Sequence, residues 1–300
     1  MKIQDLGKIG VIYGGDSSER EISLKSGAFI IQQLEQMGID VVGVDLSGVK
    51  LINFLLDNNV KFCFLALHGK GGEDGSIQGL LKSINIPFTG SDISSSAISM
   101  NKVFTKILWQ SMNLQTPSFC VMDTDKTQHN LSYPIAIKPV SEGSSIGVNK
   151  ISSAEDIPKA YENANRYGLV MAEEWIEGVE LFVPIIGDEV LPPVRVKPAS
   201  EFYDFNSKYI NQSEYFCPSG LSDLNEQRVK ELAYKAFQSL GCSGWGRVDC
   251  IMSEDGKLYL LEVNTVPGMT DKSLVPISAK AYGWSSHQLI TNILQSSSYD

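Results

Sequence analysis

Three short apolar runs near the start of this 300-residue chain, "KIGVIY", "DVVGV" and "KFCFLAL", constrain its fold more than any other feature. They lack the polar alternation of a half-exposed strand, so each has to be covered on both faces. Between the first two lies "EREISLKSGAFIIQQLEQMG", where Ile22, Ile30, Leu34 and Met37 fall near one helical face and Gly38 supplies a stop. "LINFLL" gives a short helix before the third run. Buried strand, helix, buried strand is the order of a parallel, doubly wound sheet. Such sheets bind ligands beyond the carboxyl ends of their strands. Here those ends carry "YGGDSSERE" and "HGKGGEDG", both rich in glycine and charge.

The texture changes near Asn101. A helix, "NKVFTKILWQSM", precedes two strands, "PIAIKP" and "SIGVNKI", joined through "VSEGS". The helix "SSAEDIPKAYENANRYG" follows, with Ser153 and Asp156 placed to form a capping box. "LVMAEEWI" reads as a strand, and "ELFVPIIGDEVLPPVRV" as an antiparallel hairpin turning at Gly187-Asp188. A long polar loop runs from about Ala199 to Leu221, a length that fits an active-site lid. The helix "LNEQRVKELAYKAFQSLG" and a helical ending, "LVPISAKAYGWSSHQLITNILQ", complete a mixed α/β and α+β chain of more than one domain.

Charge narrows the partners. Twenty-five basic against 35 acidic residues leave a net −10, which argues against nucleic acid or an anionic membrane as the main partner. No apolar stretch approaches the ~20 residues of a membrane span, and the N-terminus has no leader-like apolar run. The five cysteines are scattered, with no CxxC pair, so a reduced, cytoplasmic protein is expected. The three histidines have no close Cys or His companions, which speaks against zinc.

The stretch "GRVDCIMSEDGKLYLLEVN", 246 to 264, reads as a β-hairpin with Asp255-Gly256 in its turn. Counting outward from Glu254 against Lys257 sets Asp249 against Glu262 and Arg247 against Asn264, and these last four share one face. Val248, Cys250, Leu261 and Val263 then share the core face. Two carboxylates roughly 5 Å apart at Cβ destabilise a sheet unless something compensates. A solvated face would tolerate them; a hard cation explains them. Oxygen ligands with no His or Cys suit Mg²⁺ or Mn²⁺, held beside substrate phosphates. Arg247 beside them suits a developing negative charge.

Other candidates are weaker one by one. Lys102, Lys138 and Lys208 lie on separate segments and are able to converge on a triphosphate, although a lone lysine is ordinarily a surface residue. The "EGSSIG" loop offers amides and hydroxyls to phosphate but lacks the GK[ST] of a Walker A loop. Glu19 can receive an ammonium group or merely complement a helix dipole. His68 can serve a ligand or orient its loop.

Together these pieces resemble the D-alanine–D-alanine ligases of the ATP-grasp superfamily. The matching runs are "GGDSSEREISLKSG", "ALHGKGGEDGSIQGLL", "PFTGSDISSSAISMNK", "IKPVSEGSSIGV", "FYDFNSKY", "YFCPSGL", "GWGRVDC", "LLEVNTVPGMT" and "SLVP", in family order over nearly the whole chain. The resemblance implies an ATP-grasp fold with an N-terminal Rossmann-like domain at 1–96, a central domain at 97–184 and a C-terminal catalytic domain at 185–300. It implies ATP, two Mg²⁺ or Mn²⁺ ions per site, D-alanine as substrate and a homodimer. It also implies synthesis of D-alanyl-D-alanine through an acyl phosphate, for peptidoglycan. Residue by residue, Glu19 would hold the first D-alanine ammonium, with His68 close by. Lys102, Lys138 and Lys208 would hold phosphates, Glu180 the ribose, and Glu173 would belong to the nucleotide set. Asp249, Glu262 and Asn264 would hold metal. Arg247 and the Gly268 N–H would form an oxyanion hole, and Ser273 and Leu274 would grip the second D-alanine carboxylate. Ser144 and Tyr209 would join Glu19 in a hydrogen-bonded set that closes the site against water. Glu174 stands where relatives often have Lys, and Phe205 where they have Tyr; Tyr209 favours a dipeptide product. The alternatives are another ATP-grasp carboxylate–amine ligase, a dehydrogenase or nucleotide-binding protein built on the N-terminal sheet, and a non-catalytic sensor. "YGGDSS" does not supply the GxGxxG spacing that a dehydrogenase needs.

Overall fold

The computed structural model describes residues 3–125, 129–197 and 213–297. The three apolar runs form β1 (Ile9–Ile12), β2 (Val41–Val44) and β3 (Phe62–Leu65), a parallel sheet in the order β2-β1-β3. Helices α1 (Arg20–Gln36) and α2 (Gly48–Asp57) make the crossovers. Gly27 lets α1 lie against the Tyr13 ring, since a Cβ there would sit 2.4 Å from it.

Two short helices lie outside the sequence reading: α3 (Ser76–Ser83) and α4 (Ile93–Met100). The serine-rich "ISSSAISM" of α4 lacks an apolar stripe. Asp92 caps it through Ile93 N–H at 2.7 Å, and buried Ser95 and Ser96 each donate to a backbone carbonyl.

After α5 (Lys102–Ser111), strands β4 (Phe119–Met122), β5 (Ile135–Pro139), β6 (Asn149–Ile151) and β7 (Val170–Glu174) form an antiparallel sheet, order β4-β7-β5-β6. Helix α6 (Ile157–Asn165) covers it, its Ile157, Ala160 and Ala164 packing with Ile135, Ile137 and Ala172. The expected capping box is absent. Ser153 Oγ donates to Asp156 Oδ2 at 3.2 Å instead, and a 3₁₀ turn over Ala154–Asp156 precedes the helix.

The third sheet runs β11-β10-β8-β12-β13, from β8 (Gly178–Ile186), β10 (Val194–Lys197), β11 (Glu214–Phe216), β12 (Trp245–Ser253) and β13 (Leu258–Asn264). The two-residue turn at Gly187-Asp188 leads into β9 (Glu189–Val190), paired to β8 as expected. Part of the span read as a polar loop is therefore strand: β11 pairs with β10 through Arg195↔Phe216 and Lys197↔Glu214. Helix α7 (Asp223–Ser239) backs this sheet, burying Val229, Ala233 and Phe237 against Val248, Cys250 and Leu260. The helical ending divides into α8 (Leu274–Ala281) and α9 (Ser286–Ser296), and α9 buries Leu289, Ile290, Ile293 and Leu294 in the core of the first sheet.

The β12–β13 hairpin reaches the expected outer register by a different route. Its turn holds three residues, since Ser253 N–H donates to Lys257 O at 2.9 Å and Met252 faces Leu258. That shifts the inner pairs by one, so Cys250 faces Leu260 rather than Leu261. A bulge between Asp249 and Cys250 restores the count, and Asp249 faces Glu262 and Arg247 faces Asn264. Leu260 takes the core position that Leu261 was expected to fill. As the extra residue, Leu261 joins Glu262 in lining the cleft between the two antiparallel sheets.

Candidate active site

Every candidate residue in the described chain lines one of two adjoining cavities. The smaller, about 240 Å³, lies between the antiparallel sheets and takes in Lys138, Glu173, Glu180, Asp249 and Leu261. The larger, about 1070 Å³, takes in Glu19, His68, Ser144, Arg247, Gly268 and Ser273, with Asn264 and Leu274 also on its wall. Lys102 and Glu262 line both, so the cavities meet there. Lys208 and Tyr209 lie outside the described residues.

At the meeting point Lys102 Nζ donates to the Glu142 carbonyl at 2.6 Å and pairs with Glu262 Oε2 at 3.1 Å. Burial works against the Lys102 charge, but Glu262, with Glu173 and Glu73, outweighs it and the pKa stands above its ordinary value. Across the hairpin, Arg247 grips Asp249 with two parallel bonds, Nε to Oδ1 at 2.6 Å and Nη2 to Oδ2 at 2.7 Å. The guanidinium also lies over the Phe182 ring, 5.3 Å from its centroid. Residues two apart on one strand share a face, and the bulge falls beyond them, so this fork follows from the local backbone.

The donor set suits a hard divalent ion. Asp249 and Glu262 face each other and Asn264 stands on the same side. Among the described residues no third Asp, Glu, His or Cys gathers with them, so the other ligands would be the Asn264 oxygen, water and phosphate.

Glu173, on the wall of the smaller cavity, pairs with Lys138 and with fully buried Lys106, whose Nζ lies 2.9 Å from Oε2. Burial alone would raise the Glu173 pKa; the two lysines overcome it and hold it at about 2. Burial pushes Lys106 down to about 8 despite Glu173. Lys106 also donates to Thr116 Oγ1 at 2.6 Å, and that hydroxyl donates to Leu260 O at 2.8 Å. The sequence reading missed Lys106. The signal was its i, i+4 spacing from Lys102 on a helix face that also carries Val103 and Trp109.

In the larger cavity Glu19 accepts a hydrogen bond from Ser144 Oγ. Ser144 and Ser145 hold φ of 52° and 59°, the left-handed region that non-glycine residues rarely adopt. Gly143 makes the close approach possible, because a Cβ there would stand 2.7 Å from Glu19 Oε2. His68 is buried, with Nδ1 2.7 Å from Val266 O and Nε2 3.0 Å from Ser26 Oγ. A carbonyl only accepts, so Nδ1 carries the proton and Nε2 accepts from the serine. Burial lowers the His68 pKa, which keeps this neutral form. Ser26 Oγ in turn accepts the Met269 N–H at 3.1 Å, tying α1 to the segment that presents Gly268.

Gly268 lies close beside Ser273, whose Oγ a Cβ would meet at 3.0 Å. Ser273 precedes α8 but makes no side-chain cap; its hydroxyl turns to Thr270, accepting the N–H at 3.0 Å. The N–H groups of Leu274 and Val275, the first of α8, thus have no side-chain cap, and Ser273 and Leu274 line the cavity, a setting that suits a carboxylate.

Comparison with known proteins agrees with this arrangement. Residues 108–295 match the family described as D-ala D-ala ligase C-terminus, and residues 52–91 match D-ala D-ala ligase N-terminus. The chain is 43% identical to a D-alanine–D-alanine ligase of Pseudomonas putida (strain GB-1), covering 99% of this chain and 95% of that one. It superposes on the Bacillus anthracis D-alanine–D-alanine ligase complexed with ATP with a TM-score of 0.84, at 32% identity over 97% of both chains. It is also similar to the VanG D-Ala:D-Ser ligase of Enterococcus faecalis, TM-score 0.84 at 29% identity, over 96% of this chain and 98% of the other. On its conserved architecture and its sequence alike, the chain belongs to the D-alanine–D-alanine ligase family.

Proposed function

We propose that the chain is an ATP-dependent ligase that joins two D-alanines into D-alanyl-D-alanine through an acyl phosphate, for peptidoglycan synthesis. The observation that carries this is the meeting of the two cavities at Lys102 and Glu262. One is walled by the sheets that would hold ATP. The other is walled by Glu19, Ser273 and Leu274, which would hold the amino acids.

In this reading Lys102 and Lys138 neutralise the transferring phosphates, joined by Lys208. Glu180 holds the ribose, and Glu173 belongs to the nucleotide set through its pairing with Lys138. Asp249, Glu262 and Asn264 would hold the magnesium, one ion or two, which would offset triphosphate charge. Glu19, oriented by Ser144, receives the first ammonium and aims that D-alanine's carboxylate at the γ-phosphate. The amine of the second D-alanine, its carboxylate on the amides after Ser273, attacks the acyl carbon. Arg247 and the Gly268 N–H donate to the oxygen that becomes negative there. His68, neutral and doubly held, fixes the wall around them. Ser144 and Tyr209 bind the closed loop to Glu19, and closure keeps water from the acyl phosphate.

We further propose domains at 1–96, 97–184 and 185–300, with α9 of the last packed on the core of the first. A cytoplasmic homodimer completes the proposal; no helix among the described residues is long and apolar enough to cross a membrane. The test is product identification from ATP, Mg²⁺ and D-alanine, with L-alanine and D-serine as comparison substrates. D-alanyl-D-alanine and phosphate in equal amounts, from D-alanine and not L-alanine, are expected. Phosphate release that ignores amino acids would overturn the reading.

A further inference from the structure

Glu73 is a buried acid with no place in the steps above. It lies on the loop after β3 and lines the larger cavity with Glu19, Arg247 and Glu262, only 7% exposed. The loop turns it inward. Glu73 N–H donates to Gly69 O at 2.9 Å, while neighbouring Asp74 accepts from Gly71 N–H at 2.8 Å and Ser76 N–H at 3.0 Å. Asp74 therefore closes the turn and Glu73 does not. Gly72 lies so close to the preceding strand exit that a Cβ would meet Leu67 O at 2.3 Å. Oε1 of Glu73 is enclosed and has no hydrogen-bond partner. Leaving such an oxygen unpaired costs stability, which nothing in the packing returns.

The proposed reaction lacks one group that Glu73 can supply. The second amino acid enters as an ammonium ion, which has no lone pair to attack with. Glu19 is committed to Ser144 and to the first ammonium. We propose, resting on the ligase reading, that Glu73 receives the ammonium of the second amino acid and takes one of its protons. An N–H bond breaks and an O–H bond forms on Glu73. The freed lone pair makes the C–N bond to the acyl carbon. Collapse breaks the C–O bond to phosphate, and the second proton leaves nitrogen with that phosphate. Glu73 gives its proton to water when the site opens, so one proton is released per dipeptide.

The surroundings suit the role. Burial first, and then the charge of Glu19, hold the Glu73 pKa well above the ordinary carboxylate value; Glu262 adds to this, while the Gly69 N–H and Arg247 oppose it. A carboxylate with raised proton affinity is a better base near neutral pH than an ordinary one. An ammonium ion seated on Glu19 cancels part of the repulsion and frees Glu73 to act as an anion once the first substrate is bound.

Hydroxylamine tests this, because it is a neutral nucleophile at pH 7.5 and needs no base. With ATP, Mg²⁺ and D-alanine it traps the acyl phosphate as D-alanine hydroxamate. Glu73→Gln is expected to lose dipeptide formation by about 10²–10⁴-fold, the usual worth of a general base, with hydroxamate formation within a few-fold of wild type. Dipeptide formation close to wild type would overturn the proposal, and so would equal loss of both products. Should the glutamine variant not fold by thermal melting, Glu73→Asp carries the same comparison: dipeptide lowered against unchanged hydroxamate supports the role, and equal change overturns it. Wild-type protein that makes neither product would overturn the ligase reading itself, a result distinct from either.

Discussion

Lys106 and Glu173, the latter on the wall of the smaller cavity, form an ion pair, Nζ to Oε2 2.9 Å apart, with side chains 0% and 6% exposed. Through Thr116 the same lysine reaches Leu260, next to the bulge that sends Leu261 and Glu262 to the cleft. One cation thus ties Glu173 to the strand that carries Glu262. Lys106→Met leaves Glu173 with Lys138 alone. Breaking such a pair costs roughly 3–5 kcal/mol, so denaturant unfolding should show a loss of that order. The KM for ATP should rise more than kcat falls, since Lys106 touches no reacting atom. Unchanged stability would mean that the pair is not a fixed part of the fold.

The same pair sets an acid limb. Glu173 is held at about 2 against an ordinary value of 4.5. A carboxyl with a depressed folded pKa stabilises fully above its unfolded pKa, and the benefit disappears as pH falls through its folded pKa. The stability advantage of wild type over Glu173→Gln should therefore be constant from about pH 4.5 up to the approach to pH 8, where Lys106 loses its charge, and shrink between 4.5 and 2. Urea unfolding of both proteins across that range measures it. An advantage that persists to pH 2 would place the stabilisation elsewhere.

Much of the site was legible because strand registers are arithmetic. The hairpin count put Asp249 opposite Glu262, and the structure agrees. It agrees because two departures cancel: a three-residue turn subtracts what the bulge adds. Only the identity of the core residue, Leu260 in place of Leu261, betrays the difference. Other features had no local signal. Nothing in "GSSIG" marks two serines at positive φ, since their conformation is imposed by the approach to Glu19. "GKGGEDG" offers two adjacent acids, and only the hydrogen bonds of the folded loop separate the inward Glu73 from the outward Asp74. The serine-rich α4 hides its helix because it buries hydroxyls bonded to carbonyls where a stripe of apolar side chains would normally lie.

Glu262 has two tasks, as the partner of Lys102 at 3.1 Å and as one half of the opposed carboxylates. Glu262→Gln keeps the shape and removes the charge. The Mg²⁺ concentration for half-maximal turnover should rise at least about tenfold, the range seen when metal-site partners are lost, while the fold survives the loss of the Lys102 partner. Activity at saturating Mg²⁺ close to wild type with an unchanged Mg²⁺ midpoint would remove Glu262 from the metal site.

Arg247 holds Asp249 through two donors at 2.6 and 2.7 Å, a geometry that a single ammonium cannot reproduce. Arg247→Lys preserves charge and loses the fork. If the guanidinium also stabilises the tetrahedral oxyanion, kcat should fall by about 10²–10³-fold, with the KM for ATP within a few-fold. Steady-state rates with ATP and D-alanine varied separately decide the matter, and an effect confined to KM would exclude the oxyanion role.

Ser144 joins a backbone demand to a side-chain demand, and two substitutions separate them. Its φ of 52° disfavours any residue with a Cβ, and its hydroxyl donates to Glu19. Ser144→Ala keeps the unfavourable backbone and loses the hydroxyl. Ser144→Gly loses the hydroxyl and removes the backbone penalty, worth about 1 kcal/mol at a left-handed position. The glycine variant should therefore melt above the alanine variant. Both should show a raised KM for the first D-alanine by a similar factor, because each leaves Glu19 without its donor. If the glycine variant alone kept wild-type KM, loop conformation would govern Glu19; if both did, the Ser144–Glu19 bond would have no part in binding the ammonium group.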